Sequence, residues 1–131
     1  MREYSETYEK KVREIETLKN RKIYTSVEAV FPSGPAMIQF RNEIDRANLS
    51  NVATAAMALA SVDPTATVEY RTEDDVIQTV SAPEMIQIAL GVMAAKQAIT
   101  SAGWAHKDAI KAIANDRVGL RAYDITTGWP A

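Results

Sequence analysis

The sequence contains no cysteine. Disulfides, thiol catalysis and cysteine-ligated zinc are therefore excluded. It has a single histidine, His106, expected at the surface or at a helix end; the H-E-x-x-H zinc motif cannot be formed, and Asp108 two residues on would not share its helical face. Glycine is sparse, and Gly34, Gly91, Gly103, Gly119 and Gly128 are too scattered to form a phosphate loop. Ser33-Gly34 lacks the G-x-S-x-G spacing of a nucleophile elbow. No apolar run approaches the roughly 18–20 residues that a membrane span requires. Fifteen basic against 17 acidic residues leave a net charge of −2, without the basic excess of a dedicated nucleic-acid binder. The expectation is a protein without metal, cofactor, membrane or nucleic-acid partner, and not an enzyme.

What is present suits a packed domain. The chain has 131 residues, 47% of them hydrophobic, enough for one domain with a real core. Its first residues, MREYSETYEKK, are charged and carry no apolar signal-peptide segment, so synthesis in the cytoplasm is expected.

The clearest local signal lies in residues 81–116. Ser81 and Glu84 form an S-x-x-E capping box, and Pro83 sits in the first turn, where a missing N–H costs nothing. Met85, Ile86, Ala89, Val92, Met93 and Ile99 then recur at helical spacing, leaving Glu84, Gln87 and Lys96 on the polar side. Gly103 is expected to break or bend this helix, with Trp104, Ile110 and Ile113 continuing the stripe beyond it.

Upstream, residues 1–22 read as a charged amphipathic helix with Tyr4, Tyr8, Val12, Ile15 and Leu18 near one face. Such a helix either docks on its own domain or serves as an assembly arm. Residues 23–31 alternate as a strand, Pro32-Ser33-Gly34-Pro35 supplies a turn, and 36–41 alternate again. Asn42 or Asp45 caps the next helix, which Asp63-Pro64 ends. Residues 66–80 form a second hairpin around Thr72-Glu73-Asp74-Asp75, an acidic turn that needs no cation to explain it. The fold expected is α+β: a small antiparallel sheet of two β-hairpins packed against helices, with an N-terminal helix and a long C-terminal one. Its divisions are 1–22, 23–116 and a tail, 117–131.

The hairpin ending Ile38-Gln39-Phe40-Arg41, then Asp45-Arg46-x-Asn48-Leu49, carry a family pattern. It continues through Val68-Glu69-Tyr70-Arg71 to Val80, Ser81-Ala82-Pro83-Glu84-Met85 and Lys107-Asp108-x-Ile110-Lys111-x-Ile113. Residues 27–114 thereby resemble a domain family of short tailed-phage and prophage proteins associated with tails and tail fibres. The resemblance implies a virion structural protein of the tail, baseplate or fibre-attachment region, acting by assembly with other tail or fibre proteins. It transfers no catalytic residue. A homo-oligomer is expected, as is common among virion parts.

A fibre-assembly chaperone is the alternative reading, and a small cell-wall hydrolase a third that no constellation of residues supports. Arg41, Asp45, Arg46 and Asn48 read either as a junction network or as a recognition site. The side chains assigned to partner contact are Tyr4, Tyr8, Ile15, Trp104, Leu120, Tyr123 and Trp129.

Overall fold

The computed structural model describes residues 2–130, with side chains from Glu6 onward. The fold is α+β, as the patterning predicts: α1 (Arg2–Ile23), β1 (Val27–Phe31), β2 (Gly34–Ile38), α2 (Glu43–Val62), β3 (Thr67–Arg71), β4 (Ile77–Ser81), α3 (Ala82–Ala112) and α4 (Arg117–Ala122). The hairpins form two separate two-stranded antiparallel sheets, β1–β2 and β3–β4. The chain divides into two compact units, residues 24–94 and residues 1–23 with 95–131.

In the hairpin unit, Phe31 pairs with Gly34, so the first turn contains only Pro32 and Ser33. The four-residue turn expected from composition is tighter because Gly34 takes φ +122°, a conformation open to glycine. Thr67 to Arg71 pair with Ser81 to Ile77 in the second hairpin. Its turn closes through the Thr72 N–H to the Val76 carbonyl, and Asp75 adopts a left-handed φ of 67°. The two hairpins meet where Glu73 N–H donates to the Met37 carbonyl at 2.8 Å and Ser33 Oγ donates to Gln78 Oε1 at 2.6 Å. The core holds Phe31, Ile38, Phe40, Leu49, Val80 and Met85, each almost fully buried. Each such side chain contributes about 1.5–3 kcal/mol by leaving water. Ala53 and Ala56 are also buried on α2, while Ala55, Ala58 and Met57 face out.

The Ser81 capping box forms. Glu84 N–H donates to Ser81 Oγ at 3.2 Å, and the serine hydroxyl donates to Glu84 Oε1 at 2.8 Å. Helix α3 then continues through Gly103 without a break. Its buried positions are Ala82, Met85, Ala89, Val92, Lys96, Gly103, His106 and Ile110, a three-four spacing that runs past the glycine. Lys96 therefore belongs to the buried stripe and not to the polar side, and burial lowers its pKa.

In the helical unit, Ile15, Ile110 and Leu120 are fully buried together, with Tyr8, Val12, Ile113, Tyr123, Ile125 and Trp129 packed around them. Gly103 serves close approach here: a Cβ on it would lie 3.1 Å from Lys19 Cδ and 3.6 Å from Trp129 Cη2. The segment after α3, read from the sequence as a tail, begins with the short helix α4, which Asp116 caps by accepting from Gly119 N–H at 2.9 Å.

Candidate functional site

The residues assigned to partner contact separate when placed in space. Tyr8, Ile15, Leu120, Tyr123 and Trp129 come together, but inside the helical unit, where Ile15 and Leu120 present no accessible surface. Trp104 stands apart from them and is 54% exposed. The Tyr4 side chain lies outside the described residues. Helix α1 and the segment after α4 thus pack within the helical unit: Lys11 Nζ donates to the Tyr123 carbonyl at 2.9 Å, and Trp129 Nε1 donates to the Ile125 carbonyl at 2.7 Å.

His106, expected at a surface or helix end, is buried at the centre of this arrangement. Its Nε2 lies 2.7 Å from the Thr127 carbonyl, which can only accept, so Nε2 carries a proton. In the neutral ring, Nδ1 then accepts from the Tyr123 hydroxyl at 2.7 Å. The imidazole also stacks on Trp129, with ring centroids 5.0 Å apart. Every polar atom of the ring is engaged in holding residues 123–129, so His106 is a structural residue here. The helical unit also has an open apolar cleft of about 610 Å³, with Leu18 and Ile125 among its walls and Lys10, Arg13 and Arg21 at its rim.

The hairpin unit holds the richer polar site, beside the hairpin link. Asn42 is the N-cap of α2, and its side chain accepts from Asp45 N–H at 3.0 Å. This fixes Asp45 in the first turn, where it is 7% exposed. Asp45 in turn accepts from Arg41 three times: from the backbone N–H and Nε at 2.8 Å, and from a terminal guanidinium nitrogen at 3.1 Å. These charge-assisted bonds hold the Asp45 carboxyl below the usual carboxylate range and raise the Arg41 guanidinium above its own. The expected junction network is therefore present, with one correction. Asn48 is exposed and makes no hydrogen bond among the described residues, while Arg46 donates to Glu43 at 3.4 Å; the cap is Asn42, one of the two residues expected there.

The same cavity, about 340 Å³, is lined by Gln39, Arg41, Asp45 and Asn48 on one side and by residues 69–73 and Asp75 on the other. Arg71 bonds Asp75 at 2.8 Å, an exposed pair worth at most about 1 kcal/mol. Thr72 donates to Asp74 at 2.5 Å within the acidic turn. Tyr70 is 9% exposed, and its hydroxyl has no hydrogen-bond partner among the described residues. Burial, helped by the Asp45 charge, raises its pKa. Glu69, Tyr70 and Arg71 enter the sequence reading through the second hairpin and the family pattern, not as site residues. A charged residue on either side of a buried tyrosine was the available signal.

A second hollow of the hairpin unit, about 320 Å³ and open, is formed by Val30, Pro83 and Ile88 with Glu84 and Gln87. Val30 is 72% exposed. Among the described residues no group of three or more His, Asp or Glu side chains is placed to hold a metal ion, and no helix is long and apolar enough to cross a membrane.

The chain belongs to the family described as Domain of unknown function (DUF4376), whose model matches residues 6–127. The match extends past the 27–114 stretch of the resemblance and takes in nearly all of α1 and the C-terminal segment. No curated protein and no solved structure matches the chain.

Proposed function

We propose that the protein is a structural component of a phage tail, at the baseplate or the fibre-attachment region, and works by protein–protein assembly. The observation that carries the assembly reading is the apolar hollow at Val30, Pro83 and Ile88. Single exposed apolar side chains are ordinary, but a concave apolar surface favours a partner. Ile44, Met57, Val62, Val76, Ile77 and Leu90 add exposed apolar area on the same unit. The placement in a tail comes from the family resemblance of the hairpins and helix junctions.

The proposed partners are other tail or fibre proteins, with further copies of the chain in a symmetric ring, and the proposed location is the virion. Mass spectrometry of purified particles tests this. Peptides of the chain in amounts comparable to tail proteins support it. Absence from the particle, together with co-purification with immature fibre, would instead establish the chaperone reading.

A further inference from the structure

We propose that the apolar cleft of the helical unit receives an acidic amphipathic helix of a partner protein. The partner's apolar face would lie on Leu18 and Ile125, and its carboxylates would meet Lys10, Arg13 and Arg21. The partner's being a protein rests on the assembly reading above; the preference for negative charge stands on the cleft alone.

The cleft is a product of helix geometry. Lys10, Arg13, Glu14, Thr17, Leu18 and Arg21 follow the three-four spacing of one face of α1, and Ile125 and Thr126 stand opposite. Leu18 and Ile125 are both half-buried. Ile125 is held by the cluster of Ile15, Ile110 and Leu120, whereas Leu18 lies outside that group and lines the cleft. From Lys10 to Arg21 the face runs about 16 Å along α1, three turns of helix.

Charge selects the occupant. Beyond the first residues of α1, its cations divide into two sets. Lys11 donates to the Tyr123 carbonyl, Lys19 pairs with Glu16, and Lys22 lies over the Trp129 ring. Lys10, Arg13 and Arg21, the three that line the cleft, are exposed and have no ion pair or hydrogen bond among the described residues. Glu14 is the one carboxylate lining it, so the cleft is positive although the chain carries a net charge of −2. A second copy fits poorly. Parallel pairing through this face would set each cation against its own counterpart, and antiparallel pairing about its centre would set Lys10 against Arg21.

Shape narrows the choice further. A flat anionic bilayer does not reach a recessed floor, and a nucleic-acid backbone gains nothing from Leu18 and Ile125. An extended peptide would need a main-chain edge to pair with. Here one wall is a helix, and on the other the Ile125 carbonyl already accepts from Trp129 and the Thr126 N–H already donates to Asp124. A helix laid in the groove by its apolar face needs no such edge, and its flanking carboxylates complement the rim.

The test is an NMR titration of the full chain with a synthetic helix-forming peptide, leucine on one face and glutamate on the other. The same peptide with lysine for glutamate, phosphatidylglycerol vesicles and a DNA duplex are titrated separately. The expected result is saturable shifts of the amides of residues 10–21 and 125–126 with the acidic peptide and none with the lysine peptide. Arg13→Glu with Arg21→Glu, at exposed positions without hydrogen bonds among the described residues, should weaken binding about tenfold, the loss expected when two exposed ion pairs become repulsions. Leu18→Gln should weaken it as well, which a purely electrostatic patch would not show. The proposal is overturned if the acidic peptide leaves these amides unmoved or if the double glutamate variant binds it as well as the parent. It is also overturned if vesicles or DNA move the same amides at lower concentration, or if dilution of the free chain moves them, which would make the occupant a second copy. None of those outcomes would alter the protein's presence in particles, so the two proposals fail separately.

Discussion

The His106 Nδ1 and the Tyr123 hydroxyl lie 2.7 Å apart, joining helix α3 to the segment that follows α4. Tyr123 is also one of the apolar group around Ile15, Ile110 and Leu120. The bond therefore fixes a phenol whose ring is packed by one set of residues and whose hydroxyl is held by another. His106→Ala removes both imidazole hydrogen bonds and the Trp129 stack, and should cost about 3 kcal/mol. In a Trp104→Phe background, thermal melts should show the loss of stability, and fluorescence should show Trp129 emission moving to longer wavelength. Unchanged emission and melting temperature would refute the role assigned to the histidine.

The junction before α2 gives a contrast between two asparagines. Asn42→Ala deletes the cap on Asp45 N–H and should cost about 1 kcal/mol. Asn48→Ala, at an exposed position outside the network, should change stability by no more than about 0.5 kcal/mol. Denaturant melts of the two variants decide whether the cap lies where the structure puts it.

The Arg41–Asp45 pair predicts a pH dependence. The pKa of Asp45 is lowered in the folded chain, first by the hydrogen bond from Arg41, relative to an unfolded value of about 3.9. A depressed carboxylate pKa stabilises the fold above the unfolded value, and that contribution disappears as pH falls through the folded value. Asp45→Asn should accordingly melt lower than the parent at neutral pH, with the gap closing below about pH 4. A gap that persists in acid would show that the pair's charge contributes little. Glu16 and Asp124 are depressed too, so the parent itself should lose stability over the same acid range.

Gly103 tests the close approach in the helical unit. A larger side chain there meets Lys19 and Trp129 at once, so Gly103→Leu should destabilise by about 2 kcal/mol despite the better helix propensity of leucine. A variant that melts at or above the parent temperature would mean that the glycine is merely tolerated.

These positions also show what can be read in a sequence. Ser81 and Glu84 are legible because a cap depends on residues three apart, and the structure forms the box with that spacing. The hairpins are legible from alternation and turn residues for the same reason. Gly103 misleads because low propensity says nothing of what lies opposite: in a buried stripe the missing side chain makes room for Lys19. His106 misleads because its partners, Tyr123 and Thr127, are 17 and 21 residues away and reach it only after α4 has turned the chain back. The polar cavity was half legible. Arg41, Asp45 and Asn48 share one short segment, whereas Glu69, Tyr70 and Glu73 join them only once the second hairpin is in place.

The proposed role gives the two units different tasks. The helical unit packs Tyr8, Tyr123 and Trp129 within itself, and the hairpin unit offers the cavity and the hollow. Hydroxyl-radical footprinting of the free chain and of the chain in its assembled particle tests this most directly. The result expected is protection on assembly at Val30, Met57, Val76 and Ile77, with Trp104 and Val118 remaining reactive. Protection of Trp104 and Val118, with the hairpin residues as reactive as in the free chain, would contradict it.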